Sequence, residues 1–414
     1  MTDPRDVVDG YRRHVSRGRA RLADLTGALV EVSSAVSTVT DASGRNYLDC
    51  GGYGVFLLGH RHPAVVSAVV DQVQRHPLST RLMLDPTVAR AAATLASVTP
   101  EGLDLVHFVN SGAEATEAAI KLARAHGRRT LISATGGFHG KTTGALALTA
   151  NELYQAPFRP LLPDIVHVPF GDAAALGEVV ARTEDACVVL EPVQGEGGVV
   201  LPPPGYLTEV ARLCAASGAM LVLDEIQTGL GRLGSWWGAD RDGVRPDVLL
   251  VGKGLSGGVV PVAAMVATAR AYRPFGDDPF LHTSTFAGSP IAMAAATAAV
   301  TTIRDEGLVE RAAVLGARLL AGLRAALAPC GPLLRDVRGA GLLIGLEFDD
   351  PGTALDLVLD LLDRGVLVNH SLNAHRVVRL TPPAVLTDAE ADRVVEAVAA
   401  AATTLAGRAL ERSA

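Results

Sequence analysis

The chain has 414 residues, of which 49% are hydrophobic and 20% are charged, and its net charge is −7 at pH 7. This composition excludes a disordered or collagen-like chain, and the length favours two or three domains. The acidic balance contains no block of like charge, so we expect neither a nucleic-acid partner nor binding to an anionic membrane.

The four cysteines form no C-x-x-C pair, and no signal-peptide pattern opens the sequence. These features predict a reduced, cytoplasmic protein. The histidines lack the spacing of a zinc site, so we predict no metal. The most apolar long stretch, 291–303, is too short to span a bilayer. The chain has only three lysines, so any reaction that requires a lysine has three candidates: Lys121, Lys141 and Lys253.

In chain order, the sequence first predicts a polar helix over 7–25 and an antiparallel meander over 28–49 with a turn at 41–44. From about residue 63, helices alternate with short apolar runs, which is typical of a parallel sheet covered on both faces. The runs lie at 105–109, 130–133, 187–190, 220–223, 248–251 and 262–266.

A second unit follows the alanine-rich helix that begins after Pro290. Here the periodicity predicts helices over 307–328, 353–364 and 387–406, and strands over 342–348, 366–369 and 376–380. We therefore predict three parts. They are an N-terminal segment (1–62) that packs with the small domain, a large domain (63–305) and a C-terminal small domain (306–414).

The first chemical motif follows the apolar run at 105–109. Ser111 stands at an N-cap position, and Glu114 completes a capping box. The small residues Gly112 and Ala113 leave backbone N–H groups free at a helix N-terminus, which suits a phosphate. On this segment alone, an ordinary capped helix is the simpler explanation.

The segment 136–142 is similar to a nucleotide-binding loop, and Asp224 and Glu225 end an apolar strand as magnesium-binding carboxylates do. However, the loop is one residue shorter than the Gly-x-x-x-x-Gly-Lys-Ser/Thr pattern requires. A nucleotide hydrolase or kinase is therefore the disfavoured alternative. Asp224 at a buried strand end needs a cation or hydrogen-bond donor, unless it only caps the next loop.

Three other charged segments point to a reaction site. Glu191 and Glu196 flank a glycine-rich turn after an apolar strand, where ligands bind in open α/β sheets, although a solvated loop is an equal explanation. Lys253 follows four apolar residues and lies between glycines, so desolvation favours its neutral, nucleophilic form. Arg379 lies on a strand among apolar residues, which suits either a carboxylate ligand or a structural ion pair.

Together and in this order, these segments resemble the class III aminotransferases, which are pyridoxal-phosphate enzymes of the aspartate-aminotransferase fold (fold type I). The resemblance runs from about Tyr11 to Leu405 and is closest to the putrescine aminotransferases. It implies an α/β protein with a large, mostly parallel seven-stranded sheet and a smaller α+β domain. The motifs lie at 111–117, 137–141, 191–196, 223–229, 252–254 and 282–288.

The resemblance also implies residue roles. Lys253 would form the Schiff base with pyridoxal phosphate and move the substrate proton, and Asp224 would pair with the pyridinium nitrogen. Arg379 would bind the α-carboxylate of glutamate or 2-oxoglutarate, and Glu196 would neutralise Arg379 when an amine without that carboxylate is bound. The other implied contacts are Phe138 and Ile226 on the two ring faces, Gln227 near the ring hydroxyl, His139 beside the cofactor, Ser111, Gly112 and Ala113 around the phosphate, Thr285 on the phosphate bound by the partner subunit, and Tyr53 at the substrate.

The implied activity is ping-pong transfer of an amino group from a primary ω-amine, such as a diamine, to 2-oxoglutarate or pyruvate. The implied assembly is a homodimer with shared active sites. Alternatives within the family are an ornithine- or acetylornithine-type δ-aminotransferase and a biosynthetic enzyme that acts on a larger aldehyde or ketone. A cofactor-binding regulator without turnover is a further alternative. Tyr53, Gly252, His370 and His375 depart from the putrescine-enzyme pattern and bear on the choice of amine.

Overall fold

The computed structural model describes residues 3–413, so the first two residues and the last residue of the predicted terminal segments lie outside the described residues. The N-terminal part has two helices where one is predicted over 7–25. That prediction is wrong because the Ser16 hydroxyl accepts a hydrogen bond from the Arg19 N–H (3.3 Å) and starts a second helix. The predicted meander is confirmed. The elements are α1 (Pro4–His14), α2 (Arg17–Leu25), β1 (Glu31–Ala35), β2 (Thr38–Asp41) and β3 (Asn46–Asp49).

The following part contains a seven-stranded sheet and its covering helices. In chain order the elements are α3 (Pro63–Arg75), α4 (Pro86–Ala96), β4 (Leu103–Val109), α5 (Gly112–Ala125), β5 (Thr130–Ala134), α6 (Thr143–Leu148), α7 (Glu152–Gln155), β6 (Ile165–Val168), α8 (Ala173–Ala181), β7 (Ala186–Leu190), α9 (Tyr206–Ser217), β8 (Met220–Asp224), β9 (Val248–Val251), β10 (Ala263–Thr268), α10 (Ala269–Asp277) and α11 (Pro290–Asp305).

The strand order in this sheet is β4-β10-β9-β8-β7-β5-β6, and β10 runs antiparallel to both of its neighbours. All six predicted apolar runs are strands of this sheet. The seventh strand, β6, was not predicted, because it lies at the edge and carries an exposed histidine, His167, within its four residues. The sheet is therefore mixed, with one antiparallel strand among six that share a direction.

The central strands are buried on both faces. Alternate residues of β7, β8 and β9 belong to two separate hydrophobic clusters, one on each face of the sheet. This packing explains why the strands read as continuous apolar runs. It also places the carboxyl ends of β7, β8 and β9 side by side, because the three strands are parallel neighbours. Residues that follow these strands converge at one edge of the sheet.

The C-terminal part is a four-stranded antiparallel sheet with helices, in the strand order β11-β12-β15-β14. The strand predicted over 366–369 is divided, because β13 pairs in parallel with β3 while β14 pairs with β15. Strand β11 was not predicted. The three-part division of the chain stays a prediction. The elements are α12 (Leu308–Leu327), β11 (Leu334–Ala340), β12 (Leu343–Phe348), α13 (Pro351–Asp363), β13 (Val366–Leu367), β14 (Asn369–Ser371), β15 (Ala374–Leu380) and α14 (Asp388–Ser413).

The stretch Leu308–Leu333 is long and apolar enough to cross a membrane by length and composition alone. In the fold, its side chains Leu315, Leu319 and Leu323 are fully buried. They belong to the larger of the two hydrophobic clusters beside the sheet, so this apolar helix is part of the hydrophobic core.

Candidate active site

Lys253 follows β9 at the carboxyl edge of the large sheet, in a short 3-10 turn. Its backbone φ is 44°, which is uncommon for a residue other than glycine and marks local strain. Burial lowers the pKa of Lys253 below its ordinary value, while the charges of Glu196 and Asp224 oppose this shift and Arg379 adds to it. The neutral amine that a nucleophilic lysine requires is therefore favoured.

Asp224 is the last residue of β8 and is 4% exposed. One carboxylate oxygen accepts the backbone N–H of Ile226 (3.1 Å), and the other lies 2.7 Å from Nδ1 of His139. Burial acts to lower the pKa of His139, but the hydrogen bond and charge of Asp224 outweigh burial and raise it. The polar partner that Asp224 needs within the chain is therefore His139. The sequence predicted His139 beside the cofactor but did not predict its pairing with Asp224.

A cavity of 260 Å³ separates Lys253 from the neighbouring loops. It brings together eight residues that the sequence predicted for cofactor binding, and it adds Gly140 and Glu191. The predicted residues that line it are Gly112, Ala113, Phe138, His139, Asp224, Ile226, Gln227 and Lys253.

The N-terminus of the fourteen-residue helix α5 lies at one end of this cavity. Ser111 caps the helix, because its hydroxyl accepts the Glu114 N–H (3.3 Å). The Glu114 carboxylate accepts the N–H of Asn110 (2.6 Å), one residue before the position expected in a capping box. A Cβ atom on Gly112 would lie 2.9 Å from the end of the Ile226 side chain, so a larger residue would have to displace this cavity-lining side chain.

Glu191 follows β7 and was noted in the sequence without a role. One of its oxygens accepts the N–H of Phe138 (3.0 Å), and the other accepts the N–H of Gly195 (3.1 Å). Burial raises the pKa of Glu191 to about 7, although the nearby His139 opposes the shift. Glu191 therefore joins the loop that carries Phe138 to the loop that carries Glu196. Its position directly after a buried parallel strand is the sequence signal that could have identified it.

Arg379 and Glu196 are in direct contact beside the cavity. Arg379, on β15, is 0% exposed, and Glu196 is 4% exposed. A guanidinium nitrogen of Arg379 contacts the Glu196 Oε1 atom, yet none of the guanidinium nitrogens makes a well-aligned hydrogen bond. Buried charged donors normally have such partners, so the guanidinium has the capacity to bind a further acceptor.

Besides Arg379 and Glu196, three predicted residues do not line the cavity. They are Ser111, which is exposed, Tyr53 and Thr285. Tyr53 is 53% exposed and lines a groove of 1050 Å³ beside α1 and α2. A Cβ atom on the adjacent Gly54 would lie 3.6 Å from the Lys253 side chain, so the segment that carries Tyr53 passes close to the lysine. Thr285 is exposed and lines a separate pocket of 130 Å³.

A strained, partly buried lysine and a buried carboxylate at parallel strand ends, beside a helix N-terminus, define a pyridoxal-phosphate site of fold type I. The chain matches the family described as Aminotransferase class-III over residues 26–402. The protein belongs to the class III aminotransferases and is a transaminase. This membership replaces the nucleotide-hydrolase alternative.

Solved structures agree with this assignment. The chain is similar to the ornithine aminotransferase from Toxoplasma gondii, with 32% identity, a TM-score of 0.91, and coverage of 100% of this chain and 97% of that one. It is similar to an acetylornithine aminotransferase from Elizabethkingia anophelis, with 29% identity, a TM-score of 0.83 and coverage of 97% and 99%. It is also similar to a thermostable omega transaminase mutant from Pseudomonas jessenii, with 25% identity, a TM-score of 0.86 and coverage of 93% and 95%.

Class III aminotransferases use pyridoxal phosphate, and the cavity residues fit this group. The buried Gln227 Nε2 donor has no partner in the described chain, so it is available to an oxygen on the ring. Asp224 would supply the carboxylate for a ring nitrogen, and the α5 N-terminus would supply N–H groups for a phosphate. Phe138 and Ile226 would form apolar walls for the ring.

Proposed function

We propose that the protein moves an amino group from a primary ω-amine, such as a diamine, to a 2-oxo acid. The observation that carries this proposal is the buried contact between Arg379 and Glu196 beside Lys253. A permanently exposed arginine would suit only substrates with an α-carboxylate. An arginine that is covered by a carboxylate suits two kinds of substrate in turn, one without and one with that group.

Each residue has a defined task in this scheme. The cofactor, when bound, supplies the electron sink that makes the substrate C–H bond acidic. Lys253 holds the cofactor and carries the released proton on Nζ, and its lowered pKa keeps Nζ able to accept a proton. Asp224 would keep a ring nitrogen of the cofactor protonated, and His139 orients Asp224 through their hydrogen bond. Phe138 and Ile226 would hold the ring between them.

The two half-reactions differ at Arg379. When the donor is an amine without an α-carboxylate, Glu196 stays against Arg379 and neutralises the buried charge. When the 2-oxo acid enters, its carboxylate replaces Glu196 and takes up the free N–H groups of Arg379 in a bidentate pair. The same pocket therefore accepts both substrates of a ping-pong cycle.

A homodimer with shared sites is part of this proposal. Thr285 lies in an exposed segment outside the cavity of its own chain, where a partner subunit's cofactor phosphate can be reached. Large apolar side chains nearby are exposed in the single chain, including Met83 (82%), Phe280 (84%) and Phe286 (59%). Burying such side chains favours association. Analytical ultracentrifugation of the wild type against Phe286→Glu tests this assembly, and a wild-type monomer would contradict it.

An ornithine-type donor is the second candidate, and Lys141 is the observation that favours it. The Lys141 ammonium lies 3.9 Å from the ring centroid of Tyr154 and 5.9 Å from that of Phe138, which lines the cavity. Among the described residues it has no carboxylate partner, so it is available to a carboxylate carried by the donor. The similarity to ornithine and acetylornithine aminotransferases points the same way.

The amine half-reaction with putrescine and with ornithine separates these candidates. For the ω-amine proposal, putrescine is the better donor, and Lys141→Met leaves the ratio of the two donors unchanged. A higher KM for ornithine alone in Lys141→Met identifies the ornithine-type enzyme, since about one charge-assisted contact, roughly tenfold, is lost. Lys121→Met is the matched control, because the Lys121 ammonium donates to the Leu281 carbonyl (3.0 Å) and lies outside the cavity lining.

A further inference from the structure

The turn between β14 and β15, formed by Leu372 and Asn373, lies against the active-site loops of the other part of the chain. Tyr154 donates its hydroxyl to the Leu372 carbonyl (3.0 Å), and Ser371 donates to the Gly195 carbonyl (3.3 Å). These polar contacts to helix α7 and to the loop after β7 fix the position of the short hairpin turn.

The Asn373 side chain makes three further contacts. Its Nδ2 donates to the carbonyls of Gly136 (3.0 Å) and Gly137 (3.2 Å), and its Oδ1 accepts from Asn151 (2.9 Å). Both ends of the amide are therefore engaged. The two carbonyls directly precede Phe138, so Asn373 ties the hairpin to the loop that carries the ring-stacking residue.

The backbone of the same turn holds Glu196. The Leu372 N–H donates to the Glu196 Oε2 atom (2.8 Å), and the Asn373 N–H donates to the Glu196 carbonyl (2.9 Å). The other carboxylate oxygen, Oε1, contacts Arg379. Glu196 thus lies between a backbone donor on one side and the guanidinium on the other, and departure from Arg379 has to strain or break the bond from Leu372.

We propose that Asn373 is a positioning residue that sets how readily Glu196 leaves Arg379, an inference that rests on the function proposed above for this pair. The side chain of Asn373 fixes the turn, and the fixed turn presents the Leu372 N–H to Glu196. When the turn is released, the covered state of Arg379 loses a hydrogen bond, and a carboxylate ligand displaces Glu196 at lower cost. The amine half-reaction, which needs Arg379 covered, is impaired in the same variant.

Glutarate binding measures this balance without turnover, because glutarate has two carboxylates and no oxo group. By isothermal titration calorimetry on the holoenzyme, we expect Asn373→Ala to bind glutarate about three- to tenfold more tightly than the wild type, as expected for the loss of one opposing hydrogen bond. In the same variant, we expect a lower KM for 2-oxoglutarate and a slower amine half-reaction. Tyr154→Phe removes the hydroxyl that donates to the Leu372 carbonyl of the same turn, so we expect it to shift glutarate affinity in the same direction. This variant replaces Asn373→Ala in the test if Asn373→Ala folds poorly.

His375→Ala is the matched control for glutarate affinity alone, because the His375 side chain is exposed on the same hairpin. Unchanged glutarate affinity in both Asn373→Ala and Tyr154→Phe, with the two half-reactions impaired equally, would overturn the inference and leave Asn373 a structural role. Failure of the underlying proposal has a different signature. In that case, glutarate would bind to Arg379→Lys as tightly as it binds to the wild type.

Discussion

Replacing Arg379 with alanine separates the two half-reactions. A carboxylate bound by the guanidinium makes two charge-assisted hydrogen bonds of about 1.5–3 kcal/mol each, or about 3–6 kcal/mol together. Their loss corresponds to roughly a 10²- to 10⁴-fold fall in kcat/KM for the 2-oxo acid. An amine without an α-carboxylate makes no such bonds, so the kcat/KM of its half-reaction falls far less.

Arg379→Ala also destabilises the fold, and this effect has to be separated from the effect on activity. Arg379→Ala leaves the Glu196 carboxylate buried without a cation, and breaking a buried pair costs about 3–5 kcal/mol of stability. The double variant Arg379→Ala with Glu196→Gln removes the stranded charge and restores part of this stability. Arg379→Lys keeps a cation but loses the bidentate geometry, so its 2-oxo acid half-reaction lies between those of wild type and Arg379→Ala.

Single-turnover kinetics in a stopped-flow instrument measure each half-reaction alone, with putrescine or ornithine as donor and 2-oxoglutarate as acceptor. The thermal midpoint of every variant controls for unfolding. Equal losses in both half-reactions, in variants that remain folded at the assay temperature, would refute the proposed exchange between Glu196 and the substrate carboxylate.

Three further predictions concern the lysine, its carboxylate neighbour and a second buried acid. Lys253→Ala abolishes conversion, whereas Lys121→Ala retains it; activity in Lys253→Ala above that of buffer would contradict the assignment. Asp224→Asn slows both half-reactions at least about 100-fold, as expected when an electrostatic partner of the reacting group loses its charge, and comparable rates would remove Asp224 from catalysis. Burial raises the pKa of Glu225 to about 7, against an opposing hydrogen bond from Thr228. Because the folded state binds this proton more tightly, Glu225 stabilises the fold below pH 4.5, and this contribution is lost as pH rises through 7. Urea unfolding therefore shows wild type losing up to about 3 kcal/mol more than Glu225→Gln between pH 5 and 8, and parallel pH profiles would contradict it.

The large sheet was the most predictable part of the fold. Strands buried on both faces, such as β7 and β8, leave continuous apolar runs that propensity and pattern both support. Edge strand β6 and strand β11 have mixed exposure and leave no such run. The break between α1 and α2 depends on one capping serine, which is easily overlooked inside a polar helical pattern.

The site was predictable where a residue follows a buried strand. Asp224 and Lys253 stand out because a charged group there conflicts with its apolar neighbours. The partners of these groups come from distant positions in the chain. His139 reaches Asp224 from 85 residues away, and the Leu372 N–H reaches Glu196 from 176 residues away. Such pairs depend on how the strands and hairpins are packed together, which spacing along one sequence does not encode.

In the proposed function, Lys253 holds the cofactor, and the pocket alternates between an amine and a 2-oxo acid. The most direct test is the visible spectrum of the purified protein, recorded first alone, then after addition of putrescine or ornithine, and finally after 2-oxoglutarate. We expect a yellow cofactor band that bleaches with the amine, returns with the oxo acid, and is absent in Lys253→Ala. A protein that shows no band after addition of pyridoxal phosphate, or a band that neither amine changes, would contradict it.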